Sequence, residues 1–303
     1  MKLILTGGTG FIGHALRESL TQKGNEVVIF TRQASKENHP GIRTRYVYWN
    51  PPEKGNWENE LEGAGGIINL AGEPIVGKRW SRGQKQKILK SRVNAAQALV
   101  NALRQAKRKP LLLLNASAIG YYGPHGDETL TEKSSHGNGF LSETCVSWEA
   151  QALAAQALGI RVALIRTGIV LEKSGGALQK MLPPFQWGLG GPLGSGKQWM
   201  SWIHLADLVG IIHFILEKKE IQGPVNGTAP NPVTMKEFAQ TLAKVLHRPA
   251  IFPVPEFVLK ILLGEMSDVL LKGQRVLPKR ALDAGYAFQF PKLEAALENI
   301  LRK

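Results

Sequence analysis

Short apolar runs alternate with segments of helical periodicity along the first two-thirds of the chain. The first run, residues 2–5, is followed by apolar residues at helical spacing, Ile12, Leu16 and Leu20. An uninterrupted apolar run predicts a buried strand, and a recurrence every three to four residues predicts an amphipathic helix. The same criteria predict strands at 26–31, 111–116 and 161–166 and a helix at 142–158. This alternation predicts an α/β fold, a doubly wound parallel sheet with a smaller C-terminal part.

The turn between the first strand and the first helix is rich in glycine. Residues 6–13 read TGGTGFIG, with Gly7, Gly10 and Gly13 at three-residue intervals. Gly7 permits a tight turn, Gly10 lets the backbone approach a pyrophosphate, and Gly13 lets the helix pack closely on the strand. The unpaired N–H groups at the helix N-terminus then bind phosphate. We therefore predict a Rossmann-type dinucleotide site that contains Gly7, Thr9, Gly10, Phe11, Ile12 and Gly13.

The end of the second predicted strand indicates which dinucleotide is bound. An NAD site usually presents a carboxylate to the ribose 2′-hydroxyl about 20 residues after the glycines. Here Thr31 and Arg32 end the strand, and no acidic residue follows before Glu37. A guanidinium suits the 2′-phosphate of NADP. The sequence therefore predicts NADP(H) as the cofactor, with Thr31 and Arg32 beside it; the alternative is that Arg32 is only a solvated arginine.

Other predicted strands end close to this turn. Ligands of open parallel sheets collect beyond the carboxyl ends of the strands, so the residues there are predicted to form the wall of the site. They are Leu70, Ala71 and Gly72 after the fourth strand, Ser117 after the fifth, and the segment 166–169, which includes Ile169. A Gly- and Pro-rich region follows at about 175–205 and is predicted to shape a substrate pocket.

The glycine motif and several later strings resemble the extended short-chain dehydrogenase/reductase superfamily, which includes nucleotide-sugar epimerases. The strings are NLAG at 69–72, EP at 73–74, VN at 93–94, GYYG at 120–123 and GLGGPLGSG at 188–196. Together they resemble its atypical epimerase-family branch over nearly the whole chain. The resemblance implies a dinucleotide-binding domain at 1–246 and a small C-terminal domain at 247–303. It also implies that the helix carrying Arg92 starts beside the cofactor phosphates; a surface position for Arg92 is the alternative.

The sequence departs from this superfamily in its catalytic residues. Ordinary members use Tyr-x-x-x-Lys, in which the lysine lowers the pKa of a tyrosine that is otherwise a poor base near neutral pH. None of the five tyrosines here is followed by lysine at the fourth position. Aligning Trp148 and Glu149 with the glutamate downstream of that motif places Leu141 at the tyrosine position and Cys145 at the lysine position.

Three other residues are candidate catalytic residues. Ser117 lies near the position of the superfamily's carbonyl-orienting serine, and its hydroxyl can hydrogen-bond a substrate oxygen. Tyr121 or Tyr122 is a candidate proton donor if a cation lowers its pKa. The alternative is that Ser117 ends a strand and the tyrosines pack the loop. Two functions stay open: an NADP(H)-dependent reductase or epimerase of an unidentified small molecule, or a catalytically silent NADP(H) sensor that binds a partner.

Composition and charge bear on the remaining classes of function, such as nucleic-acid binding, metal binding and membrane insertion. Of 303 residues, 43% are hydrophobic and 20% charged, as in an ordinary globular enzyme. The 38 basic and 24 acidic residues give a net charge of +14, but no recognition motif accompanies them, so no nucleic-acid partner is expected. The single cysteine excludes an intrachain disulfide, and the histidines show no metal-ligand spacing. No apolar run approaches the roughly 18 residues of a membrane span, which predicts a cytoplasmic protein, with a homodimer left open.

Overall fold

Thirteen strands and ten α-helices form within residues 1–33 and 43–302, the part of the chain that the computed structural model describes. The strands are β1 (Lys2–Thr6), β2 (Glu26–Thr31), β3 (Thr44–Tyr48), β4 (Gly66–Asn69), β5 (Leu112–Ala118), β6 (Thr129–Leu130), β7 (Arg161–Thr167), β8 (Ile169–Glu172), β9 (Trp199–Met200), β10 (Trp202–His204), β11 (Gly223–Gly227), β12 (Val233–Thr234) and β13 (Arg275–Val276). The helices are α1 (Phe11–Gln22), α2 (Arg82–Gln105), α3 (Phe140–Leu153), α4 (Gly176–Gln186), α5 (Leu205–Glu217), α6 (Met235–Val245), α7 (Glu256–Leu263), α8 (Asp268–Leu271), α9 (Lys279–Asp283) and α10 (Leu293–Leu301).

Seven parallel strands form the central sheet in the order β11-β7-β5-β4-β1-β2-β3. Strand β1 lies between β2 and β4, so the chain builds the sheet outward from β1 in both directions. A reversal of this kind opens a crevice at the carboxyl ends of the strands. The predicted fold class, a doubly wound Rossmann-type α/β sheet, is confirmed.

The two faces of the sheet bury alternate residues of the same strand. Leu3 and Leu5 of β1 belong to one buried cluster with residues of α1 and α5. Ile4, between them, belongs to a second cluster with residues of α2 and α3. Successive side chains of a strand point to opposite faces, and here helices cover both. This double burial explains why the sequence shows an uninterrupted apolar run rather than an alternating one.

A third apolar core and a buried carboxylate of α5 hold the C-terminal segments in place. Leu297 of α10 and Phe238 of α6 are fully buried in one cluster. Asp207 of α5 is also fully buried, and its carboxylate accepts hydrogen bonds from the backbone N–H groups of Gln289 (2.8 Å) and Phe290 (2.9 Å). Strand β13 pairs in parallel with β6. The predicted division of the chain at residues 246 and 247 stays a prediction.

The largest difference in boundaries between a predicted and an observed element is found at α3, whereas the predicted strands differ by at most two residues at either end. The helix predicted at 142–158 starts at Phe140 and ends at Leu153, and Ala154–Leu158 forms a 3₁₀ turn instead. Gly159 ends this turn with a φ of 77°, in the left-handed region that glycine adopts without strain. The pattern of apolar residues continues through the 3₁₀ turn, so periodicity alone could not separate the two elements.

Two kinds of feature are absent from residues 1–33 and 43–302. No helix there is long and apolar enough to cross a membrane. No group of three or more His, Cys, Asp or Glu side chains there is arranged to hold a metal ion.

Candidate functional site

A cavity of about 860 Å³ lies at the carboxyl ends of the central strands. The glycine turn forms one side of it, through Gly7 and Gly10. The ends of β5 and β7 contribute Ser117 and Thr167, and α3 contributes Leu141. Residues 265–274 of the C-terminal part complete the lining on the opposite side. The cavity therefore occupies the place where a doubly wound sheet binds its ligands.

The glycine turn is folded too tightly for side chains. Gly7 has a φ of +68°, and a Cβ atom on it would lie 2.7 Å from the backbone oxygen of Leu70. A Cβ atom on Gly13 would lie 2.1 Å from the backbone oxygen of Gly7, a distance that real Cβ atoms do not reach. These distances agree with the roles that the sequence predicted for Gly7, a tight turn, and for Gly13, close packing of helix on strand.

The N-terminus of α1 opens at this turn. Gly10 occupies the N-cap position and has no side chain to cap the helix. The backbone N–H groups of residues 11–13 accordingly make no hydrogen bond within the described part of the chain, and the first intrahelical bond runs from His14 to Gly10 (2.8 Å). Unpaired N–H groups at a helix N-terminus attract anions.

Most of the predicted cofactor residues line the cavity. They are Gly7, Gly10, Phe11, Ile12, Gly13, Leu70, Gly72, Arg92 and Ile169. Four others, Thr9, Thr31, Arg32 and Ala71, lie outside its lining. Arg32 is exposed. Hydrogen bonds from Gln84 and Lys78, together with the charge of Arg32, lower the pKa of Glu73, a residue that lines the cavity.

Arg92 is partly buried beside Gly72 rather than exposed at the surface. Its Nη1 donates to the backbone oxygens of Glu73 (2.9 Å) and Ile88 (3.0 Å). Its guanidinium lies 5.3 Å from the ring centre of Trp148, and burial lowers its pKa. Nε and Nη2 have no hydrogen-bond partner within residues 1–33 and 43–302. Arg92 is therefore a fixed cation with donors left for an anionic ligand.

Ser117 is held by a buried ion pair. Its hydroxyl donates to Oε1 of Glu149 at 2.6 Å. Glu149 in turn accepts two hydrogen bonds from Arg166, at 2.9 Å from Nε and 2.8 Å from Nη2, with both side chains at most 6% exposed. Burial alone would lower the pKa of Arg166, but the hydrogen bonds and charge of Glu149 raise it above its ordinary value. Because the Ser117 hydroxyl already donates its hydrogen bond to Glu149, it can only accept a hydrogen bond from a ligand.

The structure does not favour Tyr121 or Tyr122 as a proton donor, in contrast to the sequence-based expectation. Tyr122 is fully buried, and its hydroxyl donates to Asn226 (2.7 Å) and accepts from Arg166 (3.0 Å). Burial raises its pKa to about 12, more than the neighbouring Arg166 lowers it. The ring of Tyr121 lies against the same guanidinium at 3.4 Å, and neither tyrosine lines the cavity. Both belong to the support behind Ser117.

Leu141 and Cys145 lie one helical turn apart on α3, and both line the cavity. They stand where the resemblance places the tyrosine and lysine of ordinary members. Leu141 has no ionisable group, and burial, with the charge of Glu149, raises the pKa of the Cys145 thiol to about 11. A neutral thiol is a poor nucleophile. Neither side chain therefore supplies an acid or a base at this position.

Two polar residues on the same face of α3 were missed by the sequence analysis. Thr144 and Trp148 also line the cavity, one turn apart. The hydroxyl of Thr144 and the indole N–H of Trp148 are buried and have no hydrogen-bond partner in the described residues. Thr144 lies three residues after Leu141, and Trp148 lies three residues after Cys145 and four after Thr144. This is the spacing of one helix face and is a signal that the sequence contained. Unpaired buried donors are rare and point to an external acceptor.

The family follows from the match of this chain to known proteins. The model of the NAD dependent epimerase/dehydratase family matches residues 3–226, and a domain of unknown function, DUF1731, matches 254–300. The chain belongs to the NAD dependent epimerase/dehydratase family. Epimerase family protein YfhF of Bacillus subtilis is 43% identical over 302 residues, which cover 99% of this chain and 98% of that protein. The predicted resemblance to the epimerase-family branch is confirmed.

Two solved structures extend this comparison. Human epimerase family protein SDR39U1, crystallised with NADPH, is 35% identical and superposes with a TM-score of 0.88 over 100% of both chains. UDP-glucose 4-epimerase of Thermotoga maritima superposes with a TM-score of 0.80 over 100% of this chain and 98% of that one, but is 15% identical. The second likeness shows the fold alone.

Proposed function

We propose that this protein binds NADP(H) along the glycine turn and uses it in the adjoining cavity, either to reduce a small molecule with NADPH or to epimerise one by hydride removal and return through NADP+. One observation carries the proposal: the uncapped N-terminus of α1 and the α3 face with unpaired donors open into the same 860 Å³ cavity. The human relative that was crystallised with NADPH supports the choice of cofactor.

The residues of the turn fit a dinucleotide. A Cβ atom at Gly7 or Gly13 would strike the chain's own backbone, so these glycines let strand, turn and helix pack closely beside the helix N-terminus. The N–H groups of residues 11–13 would hold the pyrophosphate, and Arg92 is placed to add a charged donor. Arg32 would pair with the 2′-phosphate. When bound, NADPH supplies a hydride at the nicotinamide ring.

The side chains around the reacting end orient a substrate rather than transfer its proton. The hydroxyl of Thr144 and the indole N–H of Trp148 can each donate a hydrogen bond to a substrate oxygen. Ser117 can accept one, since its own proton is bonded to Glu149. Leu141 and Cys145 exclude water from this wall. A substrate carbonyl held by Thr144 would be polarised without an ionisable partner.

Arg32→Ala should separate NADPH from NADH binding. Loss of a charge-assisted contact to the 2′-phosphate is expected to weaken the binding of NADPH by about 10- to 100-fold, corresponding to about 1.5–3 kcal/mol. The affinity for NADH, which lacks this phosphate, is expected to stay unchanged. Titration of cofactor fluorescence measures both constants. Arg104→Ala, which removes an exposed arginine at the end of α2, is the matched control. Equal loss of NADPH affinity in both variants would assign the effect to net charge and contradict the role of Arg32.

Thr144→Val tests the proposed donor on α3. Valine has nearly the same shape and removes a buried hydroxyl that has no partner, so the free energy of unfolding is expected to stay constant or rise by up to about 1 kcal/mol. The kcat/KM of NADPH oxidation is expected to fall by about tenfold or more. Thr144→Ser keeps the hydroxyl and should retain most of the activity. A loss of stability in the valine variant would show that the hydroxyl has a structural partner instead.

The silent-sensor alternative is supported by the residues in place of Tyr-x-x-x-Lys. Leu141 cannot ionise and the thiol of Cys145 stays protonated, so the usual acid/base pair has no substitute at its own position. A panel of ketones, quinones and nucleotide-sugars with NADPH distinguishes the two functions. Oxidation of NADPH by any member supports the enzyme; tight NADPH binding with no oxidation across the panel supports the sensor.

A further inference from the structure

A second cavity, of about 740 Å³, lies beside the first and shares a wall with it. Residues 74–79, helix α4 and helix α7 enclose it. Pro74 and Ile75 line both cavities. The two cavities are therefore adjacent, with Pro74 and Ile75 at their common boundary.

The second cavity is apolar inside. Much of its lining consists of apolar side chains, including Met181, Leu193, Leu259, Leu263, Met266 and Leu270. No Asp or Glu of the described residues lines it. An aliphatic surface of this kind lowers the free energy of a ligand that brings apolar area out of water.

Three basic residues stand around this apolar interior. Lys78 is paired with Glu73 (3.3 Å), and Arg79 donates to the backbone oxygen of Ile261 (2.7 Å). Lys180 of α4 makes no ion pair within residues 1–33 and 43–302, and its Nζ lies 3.6 Å from the position of a Cβ on Gly77. The rim therefore carries an uncompensated positive charge, which complements an anion.

The mouth of this cavity is apolar and open to solvent. Val76, Leu189 and Leu262 line it, and 43%, 55% and 63% of their surfaces are exposed. Exposed aliphatic residues that continue into an apolar cavity are typical of a binding site rather than of an ordinary surface. A polar sugar gains little binding free energy from such an apolar surface. An apolar chain or ring system gains binding free energy along its whole length, because all of it leaves water.

We propose that the second cavity binds the apolar body of an anionic amphiphile, whose carboxylate or phosphate pairs with Lys180 and whose reactive end reaches the first cavity past Ile75. The substrate class is then an acidic lipid-like molecule rather than a nucleotide-sugar. The assignment of this ligand as the substrate rests on the proposed NADPH-dependent function. The proposal that the ligand binds in the second cavity does not depend on that function.

The test uses cis-parinaric acid, a fluorescent fatty acid, and its neutral methyl ester as probes of the whole chain. Ala177→Trp fills the cavity from α4, and Lys180→Glu reverses the rim charge. Ala150→Trp on α3 and Lys173→Glu after β8 are exposed controls outside both cavities. We expect Ala177→Trp to weaken the binding of both probes by about tenfold or more. Lys180→Glu is expected to weaken the binding of the acid by about fivefold and to leave the binding of the ester unchanged. The controls should bind both probes like the unmodified chain.

Separate measurements test the proposed NADPH-dependent function and the proposed second site. NADPH titration of each variant reports on its fold, and absent NADPH binding by the unmodified chain overturns the proposed function alone. Parinaric acid binding that is absent, or unchanged in both Ala177→Trp and Lys180→Glu, overturns the second site. If Ala177→Trp does not fold, Lys180→Glu at its exposed position decides the result. Comparing free parinaric acid with the acid carried in phosphatidylcholine vesicles distinguishes a dissolved ligand from one extracted from a lipid surface.

Discussion

Replacement of Glu149 by leucine is expected to lower the free energy of unfolding by about 3–5 kcal/mol. The carboxylate is 6% exposed and accepts three hydrogen bonds, one from Ser117 and two from Arg166. Without it the guanidinium remains buried with its charge uncompensated, and the desolvation of that charge is no longer offset. Equilibrium unfolding in urea, followed by tryptophan fluorescence, measures the loss.

The double variant Glu149→Leu/Arg166→Met provides the control for this prediction. Removing both charges leaves no ion in the interior, so most of the lost stability should return. The Ser117 hydroxyl, released from Glu149, would then be free to donate to a ligand in the cavity. A single variant that loses less than about 1 kcal/mol would mean that water reaches Arg166, and the network would not be the rigid support described above.

Gly13→Ala should disable the glycine turn. The added Cβ would lie 2.1 Å from the backbone oxygen of Gly7 and 2.7 Å from the Cα of Gly8, and backbone atoms cannot move aside as a flexible side chain can. We expect a loss of about 1–3 kcal/mol of stability from overpacking. NADPH affinity should fall by about tenfold or more, because the amide donors of residues 11–13 would move away from the phosphates.

Gly83→Ala is the matched control for this substitution. Gly83 lies in the first turn of α2, and the nearest atom to an added Cβ is 3.9 Å away. Alanine favours a helix over glycine by about 0.5–1 kcal/mol, so this variant should gain stability and bind NADPH normally. Thermal unfolding with and without NADPH compares the pair. Similar behaviour of the two variants would contradict the tight packing of the turn.

The sequence predicted those parts of the site that depend on local rules. The strand before Gly7, the helix after Gly13 and the turn between them follow from apolar periodicity and from the backbone freedom of glycine. Arg92 was predicted through the resemblance to a family, and the structure places it at the cavity. Thr144 and Trp148 were within reach, since helical spacing places them on the face that carries Leu141 and Cys145.

The remainder depends on contacts between distant segments. Glu149 and Arg166 meet because α3 packs beside β5 and β7, and no spacing rule links residues 17 positions apart in different elements. The expectation for Tyr122 was not supported because folding buries its hydroxyl, and burial raises the pKa although a cation lies beside it. The second cavity requires residues 74–79, α4 and α7 to meet, which only the folded chain reveals.

The bonds of Asp207 affect the order in which the protein is built. Its carboxylate is paired by backbone N–H groups of Gln289 and Phe290, 82 and 83 positions further along the chain. On the ribosome, α5 is synthesised well before these partners, and α6 before the helix α10 that covers it. During that interval a carboxylate and an apolar helix face are exposed to solvent and to other nascent chains. Completion of this region is therefore a late event of biosynthesis, and we expect it to be the step most dependent on chaperones.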